Sequence, residues 1–241
     1  MVNTLPARAT IVALQTLEDM QVRIPSPSRQ WLDEGEWQRF TGIADARLRE
    51  RFLAGHWLAR EALAQLTLSD PERWRLRAAA SGAPLAFEVS GNHRAHVSIS
   101  HSGAYLACAA SFAPVGIDIE APQRERDLIA LAQRMFPASE VETLAALDSD
   151  AQHSAFYRRW TLDEAHAKRE GDGLASERSQ RQFWLNASHD AATARSWRGD
   201  GWFLALCVAV PEQMHGAEMP EGYSQGMVES AWHRMEYQRK D

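Results

Sequence analysis

Apolar and polar positions alternate along this chain with two periods, and the periods predict its elements. Residues 9–17, ATIVALQTL, read as a short strand. Residues 28–40 read as loop with a short helix. From Asp45 to Leu66 the apolar positions Leu48, Phe52, Ala59, Ala62, Leu63 and Leu66 recur in steps of three and four, with Gly55 on the same stripe. That is a helical period. Ser69-Asp70-Pro71 is a helix-start signal. RWRLRAAA alternates as a half-buried strand does, and Ser81-Gly82-Ala83-Pro84 marks a turn. HVSIS and AYLACAASF are strand-like, and PVGIDIE is a strand that ends in acids. Helical pattern returns at 126–135, at 138–147 and from about 150 to 169, where Gly171 and Gly173 stop it. QFWLNAS, TARSW and GWFLALCVAV read as closing strands, with Arg198-Gly199-Asp200-Gly201 as a hairpin turn.

AYLACAASF in the first half echoes WFLALCVAV near the end, and each half has a long helix followed by strands. The fold class expected is α/β (α+β): two similar lobes related by a pseudo-two-fold axis, with a cleft between them. The lobes are assigned to residues 1–113 and 114–210, and residues 211–241 to a polar tail with room for one short helix.

Composition narrows the function classes. The chain has 241 residues, 45% of them hydrophobic, enough to bury a substantial core. A net charge of −6 argues against wholesale nucleic-acid binding. No apolar run reaches the roughly 18 residues that span a membrane, and the N-terminus does not read as a signal peptide. Cys108 and Cys207 lie in apolar strand-like runs and read as buried free thiols of a reducing compartment. The expected location is the cytoplasm. Only Lys168 and Lys240 are lysine among 26 basic residues, so a lysine inside a motif calls for a physical reason.

Three segments carry chemistry. In Gly116-Ile117-Asp118-Ile119-Glu120 the two carboxylates share one face of a strand while the isoleucines take the other. Adjacent carboxylates repel unless a cation lies between them, and oxygen-only ligation suits Mg²⁺ or Mn²⁺; the plain alternative is a solvated strand end. Trp160, Glu164 and Lys168, four residues apart, line one helical stripe. They read either as a surface ion pair or as the wall of a site. Ser98-Ile99-Ser100-His101-Ser102-Gly103 reads as a turn that can cradle a phosphate, or as an ordinary polar turn. A nucleophilic serine lacks its glycine-flanked elbow. His93, His96 and His101 fit no common zinc framework.

Taken in order, these segments resemble the surfactin-type 4′-phosphopantetheinyl transferases, the monomeric, two-lobed branch of that superfamily. The matching pieces are Gly55 to Arg60, the Ser-Gly-Ala-Pro turn, Ile99 to Gly103, Gly116 to Glu120, Phe136 to Glu140 and Trp160 to Leu174. The resemblance implies transfer of the 4′-phosphopantetheine arm of coenzyme A to a serine of an acyl, aryl or peptidyl apo-carrier protein in a lipid or secondary-metabolite pathway. It implies Mg²⁺ held by Asp118, Glu120 and Glu164, with Glu164 also the base for the carrier serine and Lys168 neutralising the phosphate under attack. Ser100 and His101 would touch the nucleotide phosphates, with His56 and Gly82 also in the coenzyme A site and Glu140 a further acid of the cleft.

The chain departs from the family pattern at three places. His56 stands at a basic position, Ala83 stands in a Gly-Lys-Pro turn, and Asp163 stands where lysine precedes the helix glutamate. Asp163 is therefore expected to weaken coenzyme A binding, unless it pairs with Arg159, its i−4 neighbour. These losses keep a rival reading in view, a catalytically weak or inactive relative that binds carrier protein as a partner. A Mg²⁺-dependent diphosphate hydrolase is a further alternative.

Overall fold

The computed structural model describes residues 9–78, 84–91, 93–171, 183–185, 192–214, 217, 219, 223 and 228–234. Gly82, Ala83 and Gly173 lie outside them. Strand β1 (Thr10–Thr16) leads through α1 (Leu17–Gln21) and α2 (Glu34–Gly42) to the long helix α3 (Ala46–Thr67). Strands β2 (Trp74–Ala78), β3 (Pro84–Glu88), β4 (Arg94–Ser102) and β5 (Tyr105–Ser111) follow. The second half repeats this plan. Strand β6 (Val115–Glu120) leads through α4 (Leu128–Met135) and α5 (Ala138–Ala145) to the long helix α6 (Ser149–Glu170). Strands β7 (Phe183–Leu185), β8 (Ala194–Gly199), β9 (Trp202–Val208) and β10 (Val228–Arg234) complete it.

Each half builds its own sheet, in the orders β1-β5-β4-β3-β2 and β6-β9-β8-β10-β7. In both, the first strand pairs antiparallel with a late one: Thr10 opposes Ser111, and Val115 opposes Val208. The pseudo-symmetric pair of α/β lobes is therefore present in the topology. The difference lies at the C-terminus. Residues 228–234 are a strand inserted between β8 and β7, so the segment read as a polar tail belongs to the second sheet. Its VESAWHR pattern has too few apolar residues to announce a strand, but pairing on both edges supplies its backbone partners.

Strand alternation sorts the core into layers. Ile11, Leu106, Cys108 and Ala110 pack beneath α3 with Ala59, Ala62, Leu63 and Leu66. Their neighbours Val12, Leu14, Ala107 and Ala109 face the other way, onto Val115, Ile117, Ile119, Leu204 and Leu206. That second layer joins the lobes. Gln213, buried just past β9, adds a polar tie: its amide nitrogen donates to Ser111 Oγ at 3.1 Å while its oxygen accepts Ala209 N–H at 2.9 Å.

Helix α6 lies against β6 far more closely than ordinary side chains allow. A Cβ at position 116 would fall inside the van der Waals envelope of the Ala165 carbonyl oxygen and 2.6 Å from Arg169 N. Only glycine fits there. Gly55 on α3 is different, since a Cβ there would meet only Ile99 Cγ2, at 3.1 Å. Gly116→Ala should therefore lower the unfolding free energy by about 3 kcal/mol in urea denaturation, because backbone must move. Gly55→Ala should change it by less than about 1 kcal/mol, the methyl crowding being offset by better helix propensity.

Candidate functional site

The close packing at Gly116 brings Lys168 of α6 onto Asp118 of β6. Helix α6 runs antiparallel to β6: Ala165 abuts Gly116, Lys168 reaches Asp118, and Tyr157 stacks on Phe203, the register partner of Glu120. Glu164 lies one turn before Lys168 on the same helix, and its Oε1 is buried. Lys168 Nζ donates to Asp118 Oδ1 at 2.7 Å. Lys168 is thus turned inward to a buried carboxylate and not only along the helix surface. Trp160 on the same stripe packs against Phe156, at 5.8 Å between centroids, and helps fix α6 in place.

Asp118 is almost fully buried, and burial pushes its carboxyl up to about 6 against the opposing pull of Lys168 and Ser100. Its second oxygen, Oδ2, is buried with no hydrogen-bond partner. Glu120 is half-buried; Ser102 Oγ donates to its Oε2 at 2.9 Å, and its other oxygen takes no hydrogen bond. Among the described residues no three His, Cys, Asp or Glu side chains are gathered tightly enough to form a metal cage by themselves. Mg²⁺ does not require one, since it is commonly held by one or two carboxylates with substrate phosphates and water. An orphaned buried carboxylate oxygen beside a second carboxylate with an open oxygen is a donor set that fits a hard cation.

The Ser98–Gly103 segment is not the phosphate-cradling turn that its composition suggests. Ser98 to Ser102 belong to β4, and only Gly103-Ala104 form the hairpin turn, with Gly103 at φ +57°. Ser100 Oγ donates to Asp118 Oδ1 at 2.8 Å, so Ser100 is joined to the acidic site. His101 points to the opposite face of β4 and is exposed. The surrounding protein and the Arg51 guanidinium push it below the usual histidine range. Arg51, on α3, donates to the Gly103 carbonyl at 3.3 Å. Arg51 is one of the arginines at 47–51 that could replace the cations missing at Ala83 and Asp163, and the fold sets it beside His101.

His56 sits elsewhere in the first lobe. Its Nδ1 lies 2.6 Å from Glu36 Oε1 and its ring stacks on Phe52. Glu36 Oε2 also takes Arg60 at 2.6 Å and the Asp33 N–H at 2.9 Å, closing the capping box of α2. Burial alone would raise the Glu36 carboxyl, but bonds from His56 and Arg60 bring it down to about 2. None of the hydrogen bonds or ion pairs of Glu36, His56 and Arg60 reaches Ser100, His101 or Asp118.

Asp163 departs most from expectation. It is buried and paired with Arg159, which also holds Glu140 at 2.7 Å and lies over the Phe136 ring. Opposing charges from Asp163 and Glu140 outweigh the effect of burial and raise the arginine further. The expected anion beside coenzyme A is therefore neutralised inside the helical layer, and Glu140 is engaged in the same triad. Asp163→Lys would set a second cation against buried Arg159. It should cost about 3–5 kcal/mol of stability in thermal or urea denaturation, the size expected for an uncompensated buried charge. Acid sensitivity gives a second expectation. The folded-state Glu36 value of about 2 lies below the ordinary 4.5, so its contribution is present above pH 4.5 and lost as pH falls toward 2. Glu36→Gln should lower stability at pH 7 by about 3 kcal/mol and flatten the acid limb of the stability–pH curve.

Comparison with known proteins agrees with this architecture. The family model of the 4′-phosphopantetheinyl transferase superfamily matches residues 114–216, the stretch that holds β6, α6 and β9. The chain is 30% identical over 186 residues to the 4′-phosphopantetheinyl transferase Sfp of Bacillus subtilis, covering 73% of this chain and 80% of that protein. A second Bacillus subtilis 4′-phosphopantetheinyl transferase is 29% identical over 211 residues, covering 78% and 92%. The transferase gsp of Aneurinibacillus migulanus is 34% identical over 149 residues, covering 61% and 57%. With its two-sheet topology and its acidic strand set against the long second helix, the chain belongs to the 4′-phosphopantetheinyl transferase superfamily.

Proposed function

We propose that this protein transfers 4′-phosphopantetheine from coenzyme A to a serine of an apo-carrier protein and releases 3′,5′-ADP. The observation that carries this reading is the continuous chain Ser100–Asp118–Lys168, which joins β4, β6 and α6 at the lobe boundary in the family's motif positions. Asp118, Glu120 and Glu164 would hold Mg²⁺, through Asp118 Oδ2 and the free oxygen of Glu120 in particular. When bound, the ion would neutralise pyrophosphate oxygens and make the phosphorus a better electrophile.

The chain's own groups divide the remaining work. Glu164 takes the proton of the carrier serine hydroxyl. The serine oxygen then bonds to the phosphorus that bears pantetheine, and the pyrophosphate P–O bond breaks toward 3′,5′-ADP. Lys168, half-exposed at the end of a flexible stem, needs only to swing from Asp118 to neutralise the phosphate under attack. Such phosphoryl transfer depends on position and charge more than on covalent protein chemistry. Arg51 offers charge for the nucleotide phosphates, and His101 a ring N–H for the 3′-phosphate. Ser100 reaches this ligand through Asp118. His56 and Gly82 complete the coenzyme A set on the strength of resemblance.

The reading extends to acyl, aryl or peptidyl carriers of a lipid or secondary-metabolite pathway and to a monomer working in the cytoplasm. No helix among the described residues is long and apolar enough to cross a membrane. The carrier-binding but inactive alternative loses one of its two supports, because Asp163 is paired with Arg159 inside the helical layer; Ala83, the other, lies outside the described residues. Incubation with coenzyme A, Mg²⁺ and a panel of apo-carriers should add one phosphopantetheine to a carrier, read by intact mass. Asp118→Asn should lower the rate about 100-fold or more. Its stability at pH 7 should be unchanged or raised, since a buried carboxyl shifted up to about 6 is ionised at a cost to the fold. No mass gain on any carrier with the wild-type enzyme would overturn the proposal.

A further inference from the structure

Three serines of β4 reach across the lobe boundary to β6, an edge strand of the second sheet. Ser98 Oγ accepts the Ile117 N–H at 3.0 Å. Ser100 Oγ donates to Asp118 Oδ1 at 2.8 Å. Ser102 Oγ accepts the Ala121 N–H at 3.0 Å and donates to Glu120 Oε2 at 2.9 Å. The partners ascend together, so β4 and β6 run side by side in the same direction. The i, i+2, i+4 spacing of the serines places all three hydroxyls on the face that meets β6. They satisfy edge N–H groups that the sheet leaves unpaired, and they orient both carboxylates of the acidic strand.

Ser102 is the most constrained of the three. A serine hydroxyl has one proton and two lone pairs. With the Ala121 N–H on a lone pair, the proton is free to be aimed at Glu120. Glu120 is thereby held through Oε2, and Oε1 remains outside that bond. The base of Ser102 is fixed as well. It precedes the Gly103 turn, whose carbonyl is bonded by Arg51, and a Cβ at Gly103 would come within 3.0 Å of Gln123 Nε2. The turn is clamped between α3 and the loop that follows β6.

From this geometry we infer that Ser102 is a positioning residue for the acidic site: it belongs to the first lobe, fixes the Glu120 carboxylate of the second, and so sets the affinity for a divalent cation that it does not itself ligate. Ser98 bridges the same boundary but touches no carboxylate, which separates orientation of Glu120 from simple adhesion of the lobes.

The inference rests on the proposed Mg²⁺-dependent transfer, and the experiment keeps the two apart. Mn²⁺ is titrated into the full-length enzyme with saturating coenzyme A and no carrier, and bound metal is read by electron paramagnetic resonance. Thermal melts are recorded on the same samples. Ser102→Ala should weaken Mn²⁺ about 10-fold or more, the size seen when a ligand loses its hydrogen-bond partner. Ser102→Thr, which keeps the hydroxyl on a residue at home in a strand, should restore affinity to within about 3-fold. Ser98→Ala should leave it within about 2-fold even where it lowers the melting temperature. Wild-type affinity in Ser102→Ala, or an equal loss in Ser98→Ala and Ser102→Ala, would overturn the positioning role. A wild-type enzyme that neither binds Mn²⁺ nor modifies any carrier would overturn the transferase reading itself.

Discussion

The site depends on one close approach, that of the α6 backbone to β6 at Gly116. Helices normally stand off a sheet by the thickness of two side-chain layers, and a carboxylate and an ammonium facing each other across that gap would be separated by water. Here the missing side chain removes one layer locally. The Lys168 ammonium then reaches Asp118 across the helix–strand gap, although 50 residues separate them. Polar groups brought this close in a buried setting interact strongly, because little solvent screens them. The same contact explains why a buried, unpaired Asp118 Oδ2 is tolerated: the fold gives the carboxyl one cation and one hydroxyl on its other oxygen, and burial acts against ionisation of the group as a whole.

Charges away from that contact are compensated within their own layers. Arg159 takes both Asp163 and Glu140, so three charged side chains between α5 and α6 carry a net charge of only −1. In the first lobe Glu36 is shared by Arg60 and His56, with Arg60 also lying over the Trp31 ring. Both clusters follow the rule that buried charge is kept only where it is paired and hydrogen-bonded. Each ties a short helix to a long one, α5 to α6 and α2 to α3. The acidic strand is different because its carboxylates are only partly compensated. Asp118 has a single cationic partner and Glu120 only a hydroxyl, which leaves the acidic strand with uncompensated negative charge.

Much of this was legible in the sequence because its periods are simple. The i,i+2 placement of Asp118 and Glu120 and the i,i+4 stripe of Glu164 and Lys168 fix which face each side chain shares, whatever the tertiary structure. The helix and strand pattern likewise gave the two-lobe plan. What escaped depends on partners distant in the chain. HVSIS was legible as a strand, but its continuation to Ser102 and the partners of its hydroxyls were not, because they satisfy groups on the edge of β6 that no local pattern reveals. Arg159 as the partner of Asp163 could be anticipated from i,i+4 spacing, but its simultaneous hold on Glu140 requires α5 to pack beside it. The strand at 228–234 was hidden because edge pairing on two sides stabilises a segment that its own composition does not.

The two lobes share a topology and differ in what they place beneath their long helices. In β1 the helix-facing positions include Ile11 and Ala13, which join the apolar layer under α3. In β6 the helix-facing positions are Gly116, Asp118 and Glu120, while Val115, Ile117 and Ile119 fill the layer between the lobes just as Val12 and Leu14 do from the other side. The inter-lobe layer is therefore mainly apolar, crossed by the β4 serines and Gln213, and the acids lie on the opposite face of one strand. Duplicated architecture does not by itself duplicate a site. The first lobe contributes through the face it presents, the row of serines on β4, and the second through the acids that row holds. A site built this way forms only when both lobes are folded and docked, so the orientation of its carboxylates and the integrity of the inter-lobe layer are two readings of the same packing.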